Sequence, residues 1–214
     1  MPDRYPGYDV LSKRDTPSWN EQTRRAIDER LAVREDEALF FDPHEFATVK
    51  AIAACLVPQP QHQPRIPVAA LVDRKLHQDQ GDGYRHAGMP RLREAWRQSL
   101  RALDEEARAA HGAAFKDLRV TDQQSLLRRM QHGDLHGEAW GSMKPQVCFG
   151  QRIAKDIVYA YYSHPSAWNE IGWGGPASPR GYVRTGYDER DPWEAAEVRD
   201  GDVEAARRKN RRVG

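Results

Sequence analysis

The sequence has little cysteine, no long apolar run and no excess of charge of either sign. Its 214 residues include only two cysteines, Cys55 and Cys148, and neither has a neighbour that would complete a CxxC pair. We therefore predict two buried free thiols rather than a disulfide framework. No stretch reaches the roughly 18 apolar residues that a membrane-spanning helix needs, so we expect no direct membrane insertion.

The balance of charges argues against a general affinity for polyanions. Lysine and arginine total 33 and aspartate and glutamate total 32, which leaves a formal net charge of +1. Surfaces that bind nucleic acid usually carry a clear basic excess, so we expect no nucleic-acid partner. The clearest basic cluster, residues 207–212, is predicted to be a frayed charged tail.

The sequence also lacks a recognisable export signal. The opening stretch MPDRYPGYDVLSKRDTPSW has no apolar core, and the twin arginine Arg24 and Arg25 is followed by acidic residues. A secretory signal requires an apolar region after its basic residues. We therefore expect a cytoplasmic protein, which would reach the periplasm only if another chain supplied the export signal.

The alternation of apolar and polar residues that is typical of strands is missing, whereas helical periodicity is clear. In DPHEF, Asp42 is predicted as the N-cap, Pro43 as the first helical residue and Glu45 as the partner in a capping box. An apolar stripe from about Met89 to His111 predicts the longest helix. The predicted fold is all-α: a compact helical domain with a long Gly/Pro/aromatic-rich C-terminal segment and charged tails.

Less distinct patterns predict further helices and a division of the chain. The helices are one capped by Ser18 and Glu21, one from Pro67 to Leu76, one capped by Thr121 and Gln124, one from about Gln146 to Tyr162, and a weak charged helix over residues 194–210. The predicted parts are an N-terminal segment with one short helix (1–37), a helical domain (38–162), a partner-binding segment (163–192) and a charged tail (193–214).

Residues 161–182, YYSHPSAWNEIGWGGPASPRGY, combine aromatic residues with glycine and proline and show almost no helical character. A solvated linker would not carry so many aromatic side chains, since each Trp or Tyr hides roughly 150–250 Å² when buried. The segment either packs on the chain's own helices or folds against a partner. Because Trp, Tyr and Arg dominate binding hot spots and glycine permits close backbone approach, we predict a partner interface. Its predicted residues are Tyr162, His164, Trp168, Trp173, Gly174, Gly175, Arg180, Gly181 and Tyr182.

A candidate metal site lies in HGDLHGEAW, where His132 and His136 are four residues apart and Glu138 follows. Such histidines share a helical face and can bind zinc. However, Gly133 and Gly137 disfavour a sustained helix, and the HExxH order is missing, so a polar loop between helices is the favoured interpretation. No GxSxG or GK[ST] motif is present. We predict no catalytic, cofactor-binding or metal-binding residue in this chain.

Four segments together resemble the gluconate 2-dehydrogenase subunit 3 family: FFDPHEFATVKAIAACLVPQ, YRHAGMPRL, FKDLRVTDQQSLL and YYSHPSAWNEIGWGGPASPRGY. The resemblance spans roughly residues 38–187. It implies a small gamma subunit without an active site or redox cofactor of its own. Such a subunit assists the folding, flavin loading and stability of a large subunit of the glucose–methanol–choline oxidoreductase type.

The resemblance also implies what the partner does. The large subunit binds FAD and oxidises a hydroxyl of a sugar, sugar acid or glycoside, and the electrons pass to a cytochrome c or another acceptor. In many members the small subunit carries a twin-arginine export signal, which this sequence lacks. Two alternatives stay open: a stand-alone helical metalloenzyme that uses His132, His136 and Glu138, and a helical module that binds an unrelated protein.

Overall fold

The structure is a computed structural model that describes residues 3–59, 65–79, 81, 83–177, 181, 186, 190–191 and 193–212. Throughout these residues the regular secondary structure is helical and contains no β-strand, which confirms the all-α prediction. No helix in the described ranges is both long and apolar enough to cross a bilayer.

The helices follow one another along the chain with short connections. They are α1 (Glu21–Leu31), α2 (Pro43–Leu56), α3 (Val68–His77), α4 (Leu92–His111), α5 (Val120–His132), α6 (Pro145–Cys148), α7 (Ala154–Ser163), α8 (Pro165–Ile171) and α9 (Val203–Asn210). Single 3-10 turns cover Val10–Lys13, Phe115–Asp117 and Glu138–Trp140, and a π-helical turn, Phe149–Ile153, joins α6 to α7.

The chain divides into two compact units. One unit consists of Val33–Tyr161, and the other combines Met1–Ala32 with Tyr162–Gly214. The second unit therefore includes residues 1–32 of the predicted N-terminal segment together with the predicted partner-binding segment and charged tail, whereas residues 33–37 belong to the first unit. Residues that are far apart in sequence build the core of the second unit.

In the unit Val33–Tyr161, α2 begins as predicted. The Asp42 carboxylate accepts a hydrogen bond from the backbone N–H of Glu45 at 2.8 Å, and the Glu45 carboxylate accepts one from the backbone N–H of Asp42 at 3.1 Å. Pro43 is the first helical residue. The helix packs against α3, α4 and α5, so this cap starts a central element of the unit.

The longest helix, α4, begins three residues later than predicted. Met89 precedes Pro90, and a residue before proline disfavours the helical region of backbone space, so α4 begins at Leu92. Its end is confirmed, because Gly112 is the C-cap with a left-handed φ of 73°. The predicted apolar stripe is buried, with Trp96 and Leu103 both fully inaccessible.

Two predicted N-caps are wrong. The cap of α1 is Asn20, whose side chain accepts a hydrogen bond from the backbone N–H of Thr23 at 2.9 Å, rather than Ser18. Serine and asparagine are equally good caps, so the sequence pattern placed the helix start too early. Helix α5 has no side-chain cap and begins after Arg119, so Thr121 lies inside its first turn.

The helix predicted over residues 146–162 is interrupted by the π-helical turn between α6 and α7. Its apolar positions, Phe149, Ile153, Ile157 and Tyr161, are four residues apart and all buried. In a helix of 3.6 residues per turn, side chains four residues apart are displaced progressively around the helix axis. The π-helical turn has more residues per turn, so it offsets this displacement and keeps the four side chains facing the core. The stripe is therefore confirmed, although the helix is not regular.

The second unit has its own hydrophobic cluster, formed by Tyr8, Val10, Trp19, Ile27 and Trp168. The expectation that the segment after Ser163 has almost no helical character is wrong, because α8 covers Pro165–Ile171. The sequence carries the signals of a short helix: Pro165 at its first position and Gly172 as its C-cap, with a φ of 66°. The surrounding glycines and prolines obscured this pattern.

The C-terminal residues are ordered by a buried asparagine. Asn210 is 3% exposed, accepts a hydrogen bond from the backbone N–H of Ala196 at 2.6 Å, and donates to the carbonyls of Ala196 and Pro6 at 3.0 Å each. The predicted terminal helix is thus confirmed over its second half, as α9, whereas residues 194–202 are not helical. The prediction of a frayed tail is wrong for the last turn of α9. A side chain that reaches two distant backbone segments leaves no signal in local sequence.

Candidate partner-binding site

The structure places Trp168 in the core of its unit rather than on the surface. Its side chain is 1% exposed, and its indole N–H donates to the carbonyl of Tyr162 at 2.7 Å. The ring meets Trp173 edge to face, with the centroids 4.7 Å apart. Trp168 therefore connects the end of α7 to the residues that follow α8, and it offers no free surface itself.

The predicted interface glycines contact the chain's own N-terminal residues. Gly175 has a φ of 68°, and a Cβ atom there would come within 3.1 to 3.3 Å of Val10, Trp19 and Trp168. The carbonyl of Gly174 accepts a hydrogen bond from the Lys13 ammonium at 3.1 Å. The absence of side chains at these positions thus permits close packing inside the unit.

Three apolar side chains of this segment remain accessible to a partner. The exposed fractions are 44% for Tyr162, 47% for Ile171 and 39% for Trp173. The backbone carbonyl of Tyr162 accepts the indole hydrogen bond of the buried Trp168, and the Trp173 ring packs against that indole. We call these three side chains the 162–173 surface. Of the other predicted residues, Gly181 borders open space, and Arg180 and Tyr182 lie outside the described residues.

His164 is the N-cap of α8, a role that sequence inspection missed. It is 7% exposed, and its Nδ1 accepts a hydrogen bond from the backbone N–H of Ser166 at 3.3 Å. Only the neutral imidazole has a lone pair for this bond. Burial lowers the pKa of His164, and the nearby Arg30 guanidinium lowers it further.

We expect this unit to lose stability in mild acid because of His164. Its folded pKa lies below the ordinary value of about 6.5, so the unfolded chain binds the proton first. The stability that neutral His164 contributes to folding is therefore fully present above the ordinary pKa of the unfolded chain. It is lost as the pH falls through the lowered pKa of the folded state. In thermal melts recorded from neutral to mildly acidic pH, the Tm of His164→Asn should fall less than the Tm of the wild-type protein. Asparagine keeps a capping side chain that does not titrate. Equal decreases for both proteins would contradict this role.

The candidate metal ligands lie in a polar loop. Helix α5 ends at His132 and Gly133 takes a left-handed φ of 84°, so His136 does not share a helical face with it. Leu135 and Trp140 are buried and hold the loop, and the Glu106 carboxylate accepts from the backbone N–H of Gly137 at 2.7 Å. The described residues include no group of three or more His, Cys, Asp or Glu side chains that could hold a metal ion.

Both cysteines are free thiols, as predicted, but the prediction that both are buried is wrong for Cys55, which is half-buried. Cys148 is fully buried and lies 2.7 Å from the hydroxyl of Ser99. Burial raises the pKa of the Cys148 thiol to about 11 and outweighs the opposing effect of the Ser99 hydrogen bond. Since the thiolate is the nucleophilic form, Cys148 has the character of a packing residue.

Two arginines of α4, Arg93 and Arg97, have partners within their own unit. Arg93 donates to the carbonyls of Leu76 and His77 at 2.7 and 2.5 Å, which satisfies the end of α3. Arg97 lies over the ring of Phe40, 4.5 Å from its centroid. Phe40 lies in the loop before α2. The Asp73 carboxylate holds this loop by accepting hydrogen bonds from the backbone N–H groups of residues 39, 40 and 41. These contacts give Arg93, Arg97 and Asp73 structural roles.

A family model described as gluconate 2-dehydrogenase subunit 3 matches residues 43–175, which is more than half of the chain. The chain belongs to this family. The resemblance inferred from the sequence is thereby confirmed, and the chain is an accessory subunit of the gluconate 2-dehydrogenase subunit 3 type. No curated protein and no solved structure matches it.

The extent of the family match bears on the candidate site. It includes Tyr162, Trp168 and Trp173 and ends at Gly175, the residue that packs against Val10 and Trp19. The N-terminal residues before α2, and α9 with the residues preceding it, lie outside the match. The end of the family segment is therefore packed against parts of the chain that the family model does not describe.

Proposed function

We propose that this protein is the non-catalytic small subunit of an FAD-dependent dehydrogenase that oxidises a hydroxyl of a sugar, sugar acid or glycoside. Its role is to assist the folding, flavin loading and stability of a catalytic subunit of the glucose–methanol–choline oxidoreductase type. The observation that carries this proposal is the family match over residues 43–175, since the family name describes one subunit of a dehydrogenase.

We propose that the catalytic subunit docks on the 162–173 surface. Tyr162, Ile171 and Trp173 keep 39 to 47% of their surface exposed, and the Trp173 ring packs edge to face on the buried Trp168. Large aromatic side chains that are anchored by a core yet open to solvent are typical of binding hot spots. The surface lies within the family match, as expected of an interface that related subunits share.

In the proposed complex the chemistry belongs to the partner. FAD is held by the large subunit, and this chain contributes no cofactor. The electrons leave the flavin for a cytochrome c or another acceptor.

The proposal is tested by tagged purification of this chain from its native host. We expect a larger co-purifying chain, flavin absorption bands in the visible spectrum, and dye reduction when sugars, sugar acids and glycosides are supplied. The host lacking this chain should yield a catalytic subunit with less bound flavin. A colourless chain that elutes alone under gentle conditions would refute the proposal.

Replacement of Trp173 by alanine should weaken the complex. The expected increase in Kd is about 30-fold, which corresponds to a hot-spot loss of about 2 kcal/mol. The dissociation constant is measured by titrating the purified catalytic subunit with each variant. Tyr84→Ala is the matched control, because Tyr84 is 79% exposed and lies in the other unit. A Kd for Trp173→Ala equal to that of the control would remove Trp173 from the interface.

A further inference from the structure

We infer that Tyr8 and Lys13, on the N-terminal segment, are positioning residues that hold the backbone beside Trp173 and thereby orient its indole for the catalytic subunit. This inference rests on the proposed function, because it assigns Trp173 to the interface. It concerns residues that lie outside the family match, which begins at residue 43. The N-terminal segment would then be a working part of the binding site.

Two successive carbonyl groups are held by these side chains. The phenol O–H of Tyr8 donates to the carbonyl of Trp173 at 3.2 Å, and the ammonium of Lys13 donates to the carbonyl of Gly174 at 3.1 Å. A carbonyl lies in the plane of its peptide unit. Fixing both carbonyls therefore fixes the two peptide planes that follow Trp173, in a stretch where Gly174 and Gly175 would otherwise allow wide backbone freedom.

Both donors are removed from solvent. Tyr8 is 6% exposed and Lys13 is fully buried, with its ammonium 5.8 Å from the Tyr8 ring centroid. Burial raises the pKa of the Tyr8 phenol, and the charges of Asp9 and Glu194 raise it further, so the hydroxyl keeps its proton and remains a donor. Hydrogen bonds in such a low-dielectric setting are stronger than at the surface.

The N-terminal segment is anchored on the other side of Trp173 as well. The backbone N–H of Val10 donates to the side-chain carbonyl of Asn169 in α8 at 2.8 Å. A Cβ atom at Gly172 would lie 2.5 Å from the Tyr5 ring, so that ring rests directly on the glycine. Residues 5 to 13 thus contact the chain before and after Trp173.

These contacts leave the indole of Trp173 with one supported side and one open side. Its ring meets the buried Trp168 at a centroid distance of 4.7 Å, whereas 39% of the residue remains exposed. A side chain held in its binding orientation before association loses less conformational freedom on binding. Loss of the backbone contacts should therefore reduce affinity without removing any atom that touches the partner.

The test is a double-mutant cycle between Tyr8→Phe and Trp173→Ala, read as the Kd for the catalytic subunit. Tyr8→Phe keeps the ring in the core and removes only the hydroxyl. We expect its Kd to rise about two- to tenfold, the range for one lost hydrogen bond. In the Trp173→Ala background we expect no further rise, because a residue that acts through Trp173 has no effect once the indole is gone. Tyr84→Phe, at an exposed tyrosine, should leave Kd unchanged.

The orientation of Trp173 can also be measured without the partner. The chain has six tryptophans, so the Trp173 signal is taken as the difference in circular dichroism, in the tryptophan band where tyrosine does not absorb, between the isolated chain and its Trp173→Ala variant. This difference should change when it is measured in the Tyr8→Phe background, and more strongly in the Lys13→Met background. Thermal melts of the same samples show whether Lys13→Met still folds. If Lys13→Met does not fold, the test rests on Tyr8→Phe alone. An unchanged tryptophan signal together with an unchanged Kd in Tyr8→Phe would overturn the positioning role.

The outcomes separate this inference from the proposed function. If Trp173→Ala weakens the complex but Tyr8→Phe does not, the docking surface stands and the positioning role is wrong. If Tyr8→Phe weakens binding equally in both backgrounds, Tyr8 acts through the general stability of the unit, which also overturns the inference. If Trp173→Ala has no effect on Kd, the 162–173 surface is not the interface, and complex formation itself is still judged by the purification.

Discussion

Replacement of Trp168 by alanine is expected to unfold the unit that carries the candidate interface. Trp168 is 1% exposed and packs in a cluster with Tyr8, Val10, Trp19 and Ile27. Truncation of a buried tryptophan to alanine costs about 3–5 kcal/mol, because the lost burial adds to the cavity left behind. Its hydrogen bond to the Tyr162 carbonyl is lost as well. The cost is comparable to the whole stability of a small domain.

The measurement is chemical denaturation of the isolated chain, followed by circular dichroism and by proteolysis at low denaturant. We expect the residues of the second unit to become protease-sensitive in Trp168→Ala. Trp173→Ala is the matched control, since the same residue type is 39% exposed there and its removal should cost about 1 kcal/mol or less. A Trp168→Ala chain as resistant as the control would show that the cluster does not hold this unit.

This expectation changes how binding data on Trp168 should be interpreted. A Trp168→Ala variant would lose the partner because its unit unfolds, even if the indole never touches the partner. Binding experiments on Trp173 and Tyr162, whose side chains reach solvent, test the interface directly. Variants at buried residues of this segment thus report the stability of the unit, whereas variants at its exposed residues report contact with the partner.

Replacement of Asp156 by asparagine is expected to destabilise the unit Val33–Tyr161 by a similar amount. Asp156 is 1% exposed, and its carboxylate accepts from the Lys75 ammonium at 2.9 Å and from the Trp96 indole N–H at 2.8 Å. The Arg152 guanidinium lies 3.9 Å away. Removing one partner of a buried ion pair costs about 3–5 kcal/mol, because the remaining charge stays buried without its counter-charge.

Asparagine is chosen because it has the size of aspartate and can still accept the Trp96 hydrogen bond, so the measured loss reports the charge. The free energy of unfolding is obtained from urea titration. Asp117→Asn is the matched control, since Asp117 pairs with Lys116 at 2.7 Å but its side chain is 55% exposed. Its effect should stay below about 1 kcal/mol. An equal decrease in the free energy of unfolding for Asp156→Asn and Asp117→Asn would show that the buried ion pair stabilises the unit no more than the exposed one.

Local patterns predicted the elements whose signals lie within a few neighbouring residues. The capping box of α2 and the C-cap of α4 are formed by residues adjacent in sequence, and both are confirmed. The predicted start of α1 is wrong because Ser18 and Asn20 both satisfy the capping rule. The predicted start of α5 is wrong because its actual N-cap, Arg119, makes no side-chain capping hydrogen bond. Helix α8 was missed because glycine and proline, which break helices in their interior, stand here at its two ends.

The candidate site was predictable only as a segment. Aromatic residues in a stretch rich in glycine and proline marked residues 161–182, and the family match includes most of that stretch. Sequence inspection could not separate Trp168 from Trp173. Both are tryptophans near glycine, and yet one is 1% exposed and the other 39%.

The amino-acid sequence by itself determined the all-α class and the family, because helical periodicity, caps and family motifs are local properties of the chain. Only the tertiary structure decided which tryptophan is core and which is accessible. That outcome depends on contacts such as the hydrogen bond from Val10 to Asn169, which joins positions 159 residues apart. Burial is a property of the folded surface, and no local pattern records which distant segment will cover a side chain.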